Sequence, residues 1–356
     1  MVVAVTGYYG TGSSAVLDLL SEYEGCSEGG MHSYEHVPLY FPNGLFDLEH
    51  KLLLGNDPHR SDEAIKSFRK AMYELNDKNF GWMGTYNQYF GNEFKENVDE
   101  FLSSITQFEC EGLWYNYYKR GNFSPVKFLK DCVKTVLPNK QIIGEFGRKN
   151  PVLVKQNIEI SFVSEEEFFK SAKIFVKNYL KMINKDNVPT LLIDHLLFPH
   201  HAYRMDKYFD DDFRLIVVDR DIRDLFVLSK YIWQEMGFDS PYPTDAKEFL
   251  KHRVNMKNAE KRTDNPHVLY INFEDLVYKY DETVAKIEKF VAFKPEQHIN
   301  PRTRFIPENS INNTQNFLIE KEWAEEVKVL ENQKDEIYDF PYERKAKLED
   351  TFDNQE

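Results

Sequence analysis

Val2-Val3-Ala4-Val5-Thr6-Gly7-Tyr8-Tyr9-Gly10-Thr11-Gly12-Ser13-Ser14-Ala15-Val16 opens the chain, and its reading decides the fold. Residues 2–6 are apolar, β-branched and short, which predicts a buried strand. Residues 13–23 set Ala15, Val16, Leu19 and Leu20 on one face, which predicts a helix. Between them, Gly7, four residues and then Gly12 reproduce the frame of a phosphate-binding loop. Glycines let the backbone curl so that several N–H groups face one anion, and the following helix adds its positive end. Ser13 and Ser14 add hydroxyls. The frame expects lysine where Ser13 stands, and without it the outer phosphates of ATP lose their point charge. The competing reading is a glycine-rich turn that binds nothing.

Outward from this stretch, the same rhythm returns after residue 164. Residues 164–184 carry Phe168, Phe169, Ala172, Phe175, Val176, Tyr179 and Leu180 at helical spacing, with Ser164 and Glu167 in capping-box positions. Pro189–Leu197, Phe213–Asp219 and Val268–Phe273 read as strands; 221–236 and 281–292 read as helices. Buried strands alternating with helices predict an α/β fold of three layers, P-loop-like, around a central parallel sheet. Ligands in such folds bind at the carboxyl ends of the strands. Residues about 40–160 read as a mostly helical, aromatic-rich insertion, with helices near 60–77 and 94–108. It serves as a lid or acceptor-binding subdomain, or as plain core packing. The expected organisation is one domain over 1–320, followed by a charged helix and frayed tail over 321–356.

Two further groups stand at strand ends. Arg220-Asp221-Ile222-Arg223-Asp224 follows a buried strand and opens a helix, and Ser229 lies further along it. A guanidinium there can fork onto a phosphate, or the arginines can pair with the neighbouring aspartates. Asp194-His195 ends another strand, and a histidine so placed can take a proton from a hydroxyl near neutral pH. The ten histidines show no metal-binding spacing, so no metal is expected.

Together these pieces resemble the sulfotransferase family that uses 3′-phosphoadenosine 5′-phosphosulfate (PAPS). Thr11-Gly12-Ser13-Ser14 is similar to the ending of that family's 5′-phosphosulfate loop, and Arg220-Asp221-Ile222-Arg223-Asp224 to its 3′-phosphate motif. Ile193-Asp194-His195-Leu196 occupies the place of its catalytic histidine. Tyr270-Ile271-Asn272-Phe273-Glu274-Asp275-Leu276 and Pro307-Glu308-Asn309-Ser310-Ile311-Asn312-Asn313-Thr314 resemble two later segments. The resemblance covers 1–20 and about 190–318. It implies that Gly10, Thr11, Gly12, Ser13 and Ser14 hold the phosphosulfate and that Arg220 and Ser229 hold the 3′-phosphate. His195 then acts as the base toward a hydroxyl of a small-molecule or carbohydrate acceptor; Glu35 is the alternative base. Three departures accompany it. Gly10 stands where the family carries lysine or arginine. Ser229 lies one residue beyond the usual serine. The late clamp on the 3′-phosphate has no clear match, although Arg302 and Arg304 are nearby. The alternatives are a kinase-like, ATP-dependent phosphotransferase and a nucleotide-binding protein without catalysis.

Composition bounds the rest. The chain has 356 residues, 42 % of them hydrophobic, enough for a sizeable core. The net charge of −14 argues against a general nucleic-acid or anionic-membrane binder, but not against one small anion in a locally basic pocket. Cys26, Cys110 and Cys132 form no framework and read as free thiols. With no leader or membrane span read from the sequence, a cytoplasmic protein is expected.

Overall fold

The computed structural model describes residues 1–29, 35–81, 83–115, 153–344 and 347–351. Five strands form the main sheet: β1 (Val2–Gly7), β2 (Cys26–Ser27), β5 (Thr190–Asp194), β6 (Phe213–Asp219) and β7 (Val268–Asn272). Their order is β2-β5-β1-β6-β7, and every pairing is parallel. Side chains alternate across such a sheet, so a strand buried on both sides feeds two cores. Ala4, Ile193, Leu215 and Val217 point into one core, while Val3, Val5, Leu192, Ile216 and Val218 point into the other. This is the expected three-layer α/β arrangement, with β1 at its centre.

The first core is roofed by α2 (Leu45–Leu53), α3 (Pro58–Asp77), α4 (Tyr86–Phe90), α5 (Glu93–Ile105) and α6 (Glu165–Ile183). The capping box foreseen at Ser164 is present: its side chain accepts from Glu167 N, and Glu167 returns to Ser164 N. The predicted insertion therefore supplies one layer of the core. It also contains an element its aromatic composition did not announce, an antiparallel ribbon of β3 (Phe108–Tyr115) and β4 (Leu153–Ile160). Much of the remainder of the insertion, with Cys132, lies outside the described residues. Cys26 and Cys110 are free thiols.

The second core holds α1 (Ser13–Leu20), α9 (Phe273–Tyr278) and α10 (Tyr280–Val291), the last two following β7. The helix foreseen over 221–236 is interrupted. It starts as α7 (Ile222–Val227), passes through a π turn at Leu228–Ile232 and resumes at Trp233–Glu235. A third core joins this segment and α8 (Ala246–Ala259) to the C-terminal region, where α11 (Lys321–Glu326) and the turn after it bury Trp323, Val327 and Leu330. Among the described residues no helix is long and apolar enough to cross a membrane.

Candidate active site

Two conformational switches shape the loop between β1 and α1. Gly10 has φ +82° and Gly12 φ +93°, backbone open to glycine at little cost. A Cβ on Gly12 would come within 2.6 Å of the Phe273 ring, and one on Gly10 would stand 3.1 Å from Leu225, Leu228 and Trp233. The loop tip is thus pressed between α9 and the α7 region. A side chain at position 10 would have to adopt the left-handed backbone and push these three side chains back by a few tenths of an ångström.

The loop's polar groups divide cleanly. Its carbonyls are held from the protein side. Tyr8 O accepts from Thr11 N (3.1 Å) and Thr11 Oγ1 (2.9 Å). Tyr242 donates its hydroxyl to Tyr9 O at 3.0 Å, Arg220 Nη1 donates to Gly10 O at 2.9 Å, and Ala15 N to Gly12 O at 3.2 Å. The amides of Tyr9, Gly10, Gly12, Ser13 and Ser14 have no partner among the described residues, and no side chain caps α1. Buried or half-buried N–H groups seldom go unpaired. With the carbonyls of Tyr8, Tyr9, Gly10 and Gly12 engaged and five amides open beside a helix start, this loop is suited to an anion. Ser14 is exposed, while Thr11 and Ser13 are buried.

Beneath the loop, Tyr8 anchors it. Its hydroxyl donates to Glu260 Oε2 at 2.8 Å and lies 2.8 Å from His200 Nδ1. The Arg253 guanidinium and the Lys257 ammonium sit 5.2 and 5.3 Å from its ring centroid. Burial, followed by Glu260, pushes the Tyr8 phenol far above its usual range.

Arg220 is 5 % exposed and is stacked 5.0 Å over Phe273. Besides Gly10 O it donates to Asn313 O, so the two guanidinium ends tie the glycine loop to the 307–314 segment. Its Nε has no partner among the described residues. The acidic residues around it have separate tasks. Asp221 forms a two-pronged pair with Arg223 at 3.0 and 2.7 Å. Asp224, fully buried, accepts from Gln315 N and Asn316 N at 2.7 and 2.6 Å. Glu274 Oε1 accepts from Asp221 N at 2.9 Å, while Oε2 is buried without a partner among the described residues. Burial lifts Asp224, and burial with the charge of Asp221 pushes Glu274 up to about 8, against the opposing pull of Arg220. The two motifs around Asp221 and Glu274 are thus two halves of one cluster.

Ser229 falls in the π turn, one of the places where such turns insert an extra residue into a helix. It is fully buried, and its Oγ donates to Phe226 O at 3.0 Å. Arg302 pairs with Glu308, and Arg304 acts on Asp18. The turn carrying both is held by Glu22, whose carboxylate accepts the amides of residues 302–305.

His195 directly follows β5 in the left-handed region, φ +49°, with its N–H on Val5 O at 3.0 Å. Strand alternation alone sends residues 194 and 195 to opposite faces, but the left-handed turn cancels it. His195 Nδ1 lies 2.7 Å from Asp194 Oδ1. Burial opposes a charged imidazole here; Asp194, then Glu35 and a backbone acceptor at Gly7, outweigh it and hold His195 above its ordinary range. Glu35 also raises the phenols of Tyr9 and Tyr40 after burial, which brings loop tip, Glu35 and His195 into one neighbourhood. Among the described residues no group of three or more histidine, cysteine or acidic side chains is poised for a metal.

Tyr242, Trp233 and Glu260 were invisible as site residues in the sequence, whereas Asn313 lies in the 307–314 segment that the resemblance marks. The first three act through a hydroxyl, a ring edge or a carboxylate supplied from 223 to 252 residues further along the chain, with no local signature.

No protein-family model and no curated protein matches the chain. Among solved structures, it is similar to the sulfotransferase domain of the Synechococcus PCC 7002 olefin synthase, with 12 % identity and a TM-score of 0.34 over 98 % of this chain and 91 % of that one. The sulfotransferase domain from the curacin biosynthetic pathway gives 13 % identity and 0.29 over 98 % and 94 %. Sulfotransferase STF1 from Mycobacterium tuberculosis H37Rv gives 12 % and 0.29 over 87 % and 75 %. At these scores the local geometry of the site, and not the superposition, carries the reading below.

Proposed function

We propose that the chain is a sulfotransferase that moves a sulfuryl group from PAPS to a hydroxyl of a small-molecule or carbohydrate acceptor. The observation that carries this reading is the division of the glycine loop: pinned carbonyls and open amides at the start of α1. Gly10, Thr11, Gly12, Ser13 and Ser14 take the phosphosulfate. Arg220, which braces the loop through the Gly10 carbonyl, takes the 3′-phosphate together with Ser229 of the π turn that follows α7. The acceptor enters from the β5 side, where His195, Asp194 and Glu35 gather. Transfer of this kind depends on positioning and charge stabilisation more than on covalent help from the protein. The absence of a lysine at Ser13 favours the phosphosulfate over ATP.

Thermal unfolding with added nucleotides tests the reading. A ligand at 100 times its Kd adds about 2.7 kcal/mol. Adenosine 3′,5′-bisphosphate is expected to raise the midpoint and ATP to leave it unchanged; the reverse supports a phosphotransferase. Turnover of PAPS with a panel of phenols, alcohols and sugars then separates an enzyme from a nucleotide-binding protein without catalysis.

A further inference from the structure

Two guanidinium groups hold the Ile311–Asn313 turn, one from the end of β6 and one from the C-terminal region. Arg220 donates through Nη2 to Asn313 O and through Nη1 to Gly10 O at 2.9 Å. Arg344 donates through Nη1 to Ile311 O at 2.5 Å and through Nη2 to Asn312 Oδ1. Both ends of Arg344 thus go to neutral oxygens of the turn that fixes Arg220. The next residue, Gln315, is 1 % exposed and ties the same C-terminal segment down. Its Oε1 accepts from Arg344 N at 3.0 Å, and its Nε2 donates to Tyr342 O at 3.0 Å. Its own N–H rests on the buried Asp224 at 2.7 Å. A chain of hydrogen bonds therefore runs from Arg344 through the turn to Arg220 and on to the glycine loop. A planar guanidinium held at both ends presents its remaining N–H groups in one orientation only. Arg220 is so held, and the position of its Asn313 anchor depends on the contacts that Arg344 makes.

We propose that Arg344 is a positioning residue for the nucleotide: it fixes the 311–313 turn, the turn fixes Arg220, and Arg220 so fixed selects a ligand that carries a 3′-phosphate. The proposal rests on the sulfotransferase reading above. Arg344 acts through Arg220 and does not itself touch the ligand. Its effect is therefore confined to ligands on which Arg220 acts. Removing it leaves the amides of the glycine loop, which grip the 5′ end, as they were. Position rather than charge is what Arg344 supplies, because two oxygens of the turn must be met at once. A lysine carries the same charge but only a single ammonium, without the fork that spans Ile311 O and Asn312 Oδ1.

Calorimetric titration of the full chain with adenosine 3′,5′-bisphosphate and with adenosine 5′-phosphate tests this through the ratio of the two dissociation constants. The wild type is expected to prefer the bisphosphate. Arg344→Gln is expected to cut that preference about tenfold, the size of one misplaced hydrogen bond to a charged group, with the affinity for adenosine 5′-phosphate unchanged. Arg344→Lys is expected to behave as Arg344→Gln does. Urea unfolding without nucleotide runs alongside. A variant that loses stability but keeps the wild-type ratio makes Arg344 purely structural and overturns the proposal. A wild-type ratio in Arg344→Lys overturns it too, because charge alone then suffices. Should Arg344→Gln fail to fold, Asn312→Ala, which removes one partner of Arg344 and leaves Arg220 and both its carbonyls, carries the same measurement: a lowered ratio supports the proposal and an unchanged one overturns it. A wild type that binds neither nucleotide loses the sulfotransferase reading itself. A wild type that binds both equally loses the 3′-phosphate assignment of Arg220, and this proposal with it.

Discussion

Gly12 illustrates how much one residue decides. Its left-handed φ of +93° and the 2.6 Å approach to Phe273 leave only a hydrogen where any other side chain would begin. Gly12→Ala is expected to cost about 1–3 kcal/mol in strain alone. It should also abolish the stabilisation by adenosine 3′,5′-bisphosphate, because the amides of Ser13 and Ser14 move with it. Denaturant unfolding with and without the nucleotide checks both. A variant with normal nucleotide stabilisation removes the loop from the site. The need for glycine at 12 was legible from the spacing to Gly7. The ring that enforces it, 261 residues further on, was not.

At the level of elements, the strand-to-helix corners of β6 and β7 share a buried acidic cluster. Glu274 rises from a carboxylate's ordinary value to about 8, chiefly because burial penalises the charge. The folded state therefore holds its proton more tightly than the unfolded chain does. Its contribution to stability is complete below the unfolded value and is lost as pH rises through about 8. Glu274→Gln is expected to flatten that decline, which for one group is at most about 1.4 kcal/mol per pH unit. Urea unfolding at a series of pH values from 5 to 9 measures it; a decline of unchanged slope in the variant assigns the effect elsewhere. The π turn at Leu228–Ile232 belongs to this scale as well. Its extra residue coincides with the one-residue displacement of Ser229 relative to the family pattern. Helical periodicity could not forecast this, because one added residue shifts the phase by about 100° without breaking the apolar pattern.

For the whole molecule, the C-terminal region is part of the architecture. Trp323, Val327 and Leu330 close the third core over α7 and α8. The chain beyond them crosses the ends of β6 and β7, where Tyr338 N donates to Asp221 Oδ2 at 2.8 Å and Glu336 pairs with the buried Arg253. Trp323→Ala is expected to cost about 3–5 kcal/mol, the usual range for emptying a large buried aromatic. Because that core backs the segment lining the loop tip, weaker stabilisation by the bisphosphate should accompany it. Chemical denaturation and nucleotide titration of the same variant check the pair; a loss below 1 kcal/mol would show that the region is only draped on the surface.

The sequence alone determined the α/β class, the glycine loop and the strand ends that carry His195 and Arg220. These follow from local rules: β-branched runs form buried strands, glycine spacing permits a curled loop, and apolar periods of three to four make helices. Only the tertiary structure decided what the side chains do. It turned His195 toward Asp194 by a left-handed residue, set Arg220 on the Gly10 carbonyl, and brought Tyr242, Asn313 and Glu260 to the loop. Those partners come from distant parts of the chain, and their meeting is enforced by the packing of cores on both faces of the sheet, which no short stretch of sequence encodes.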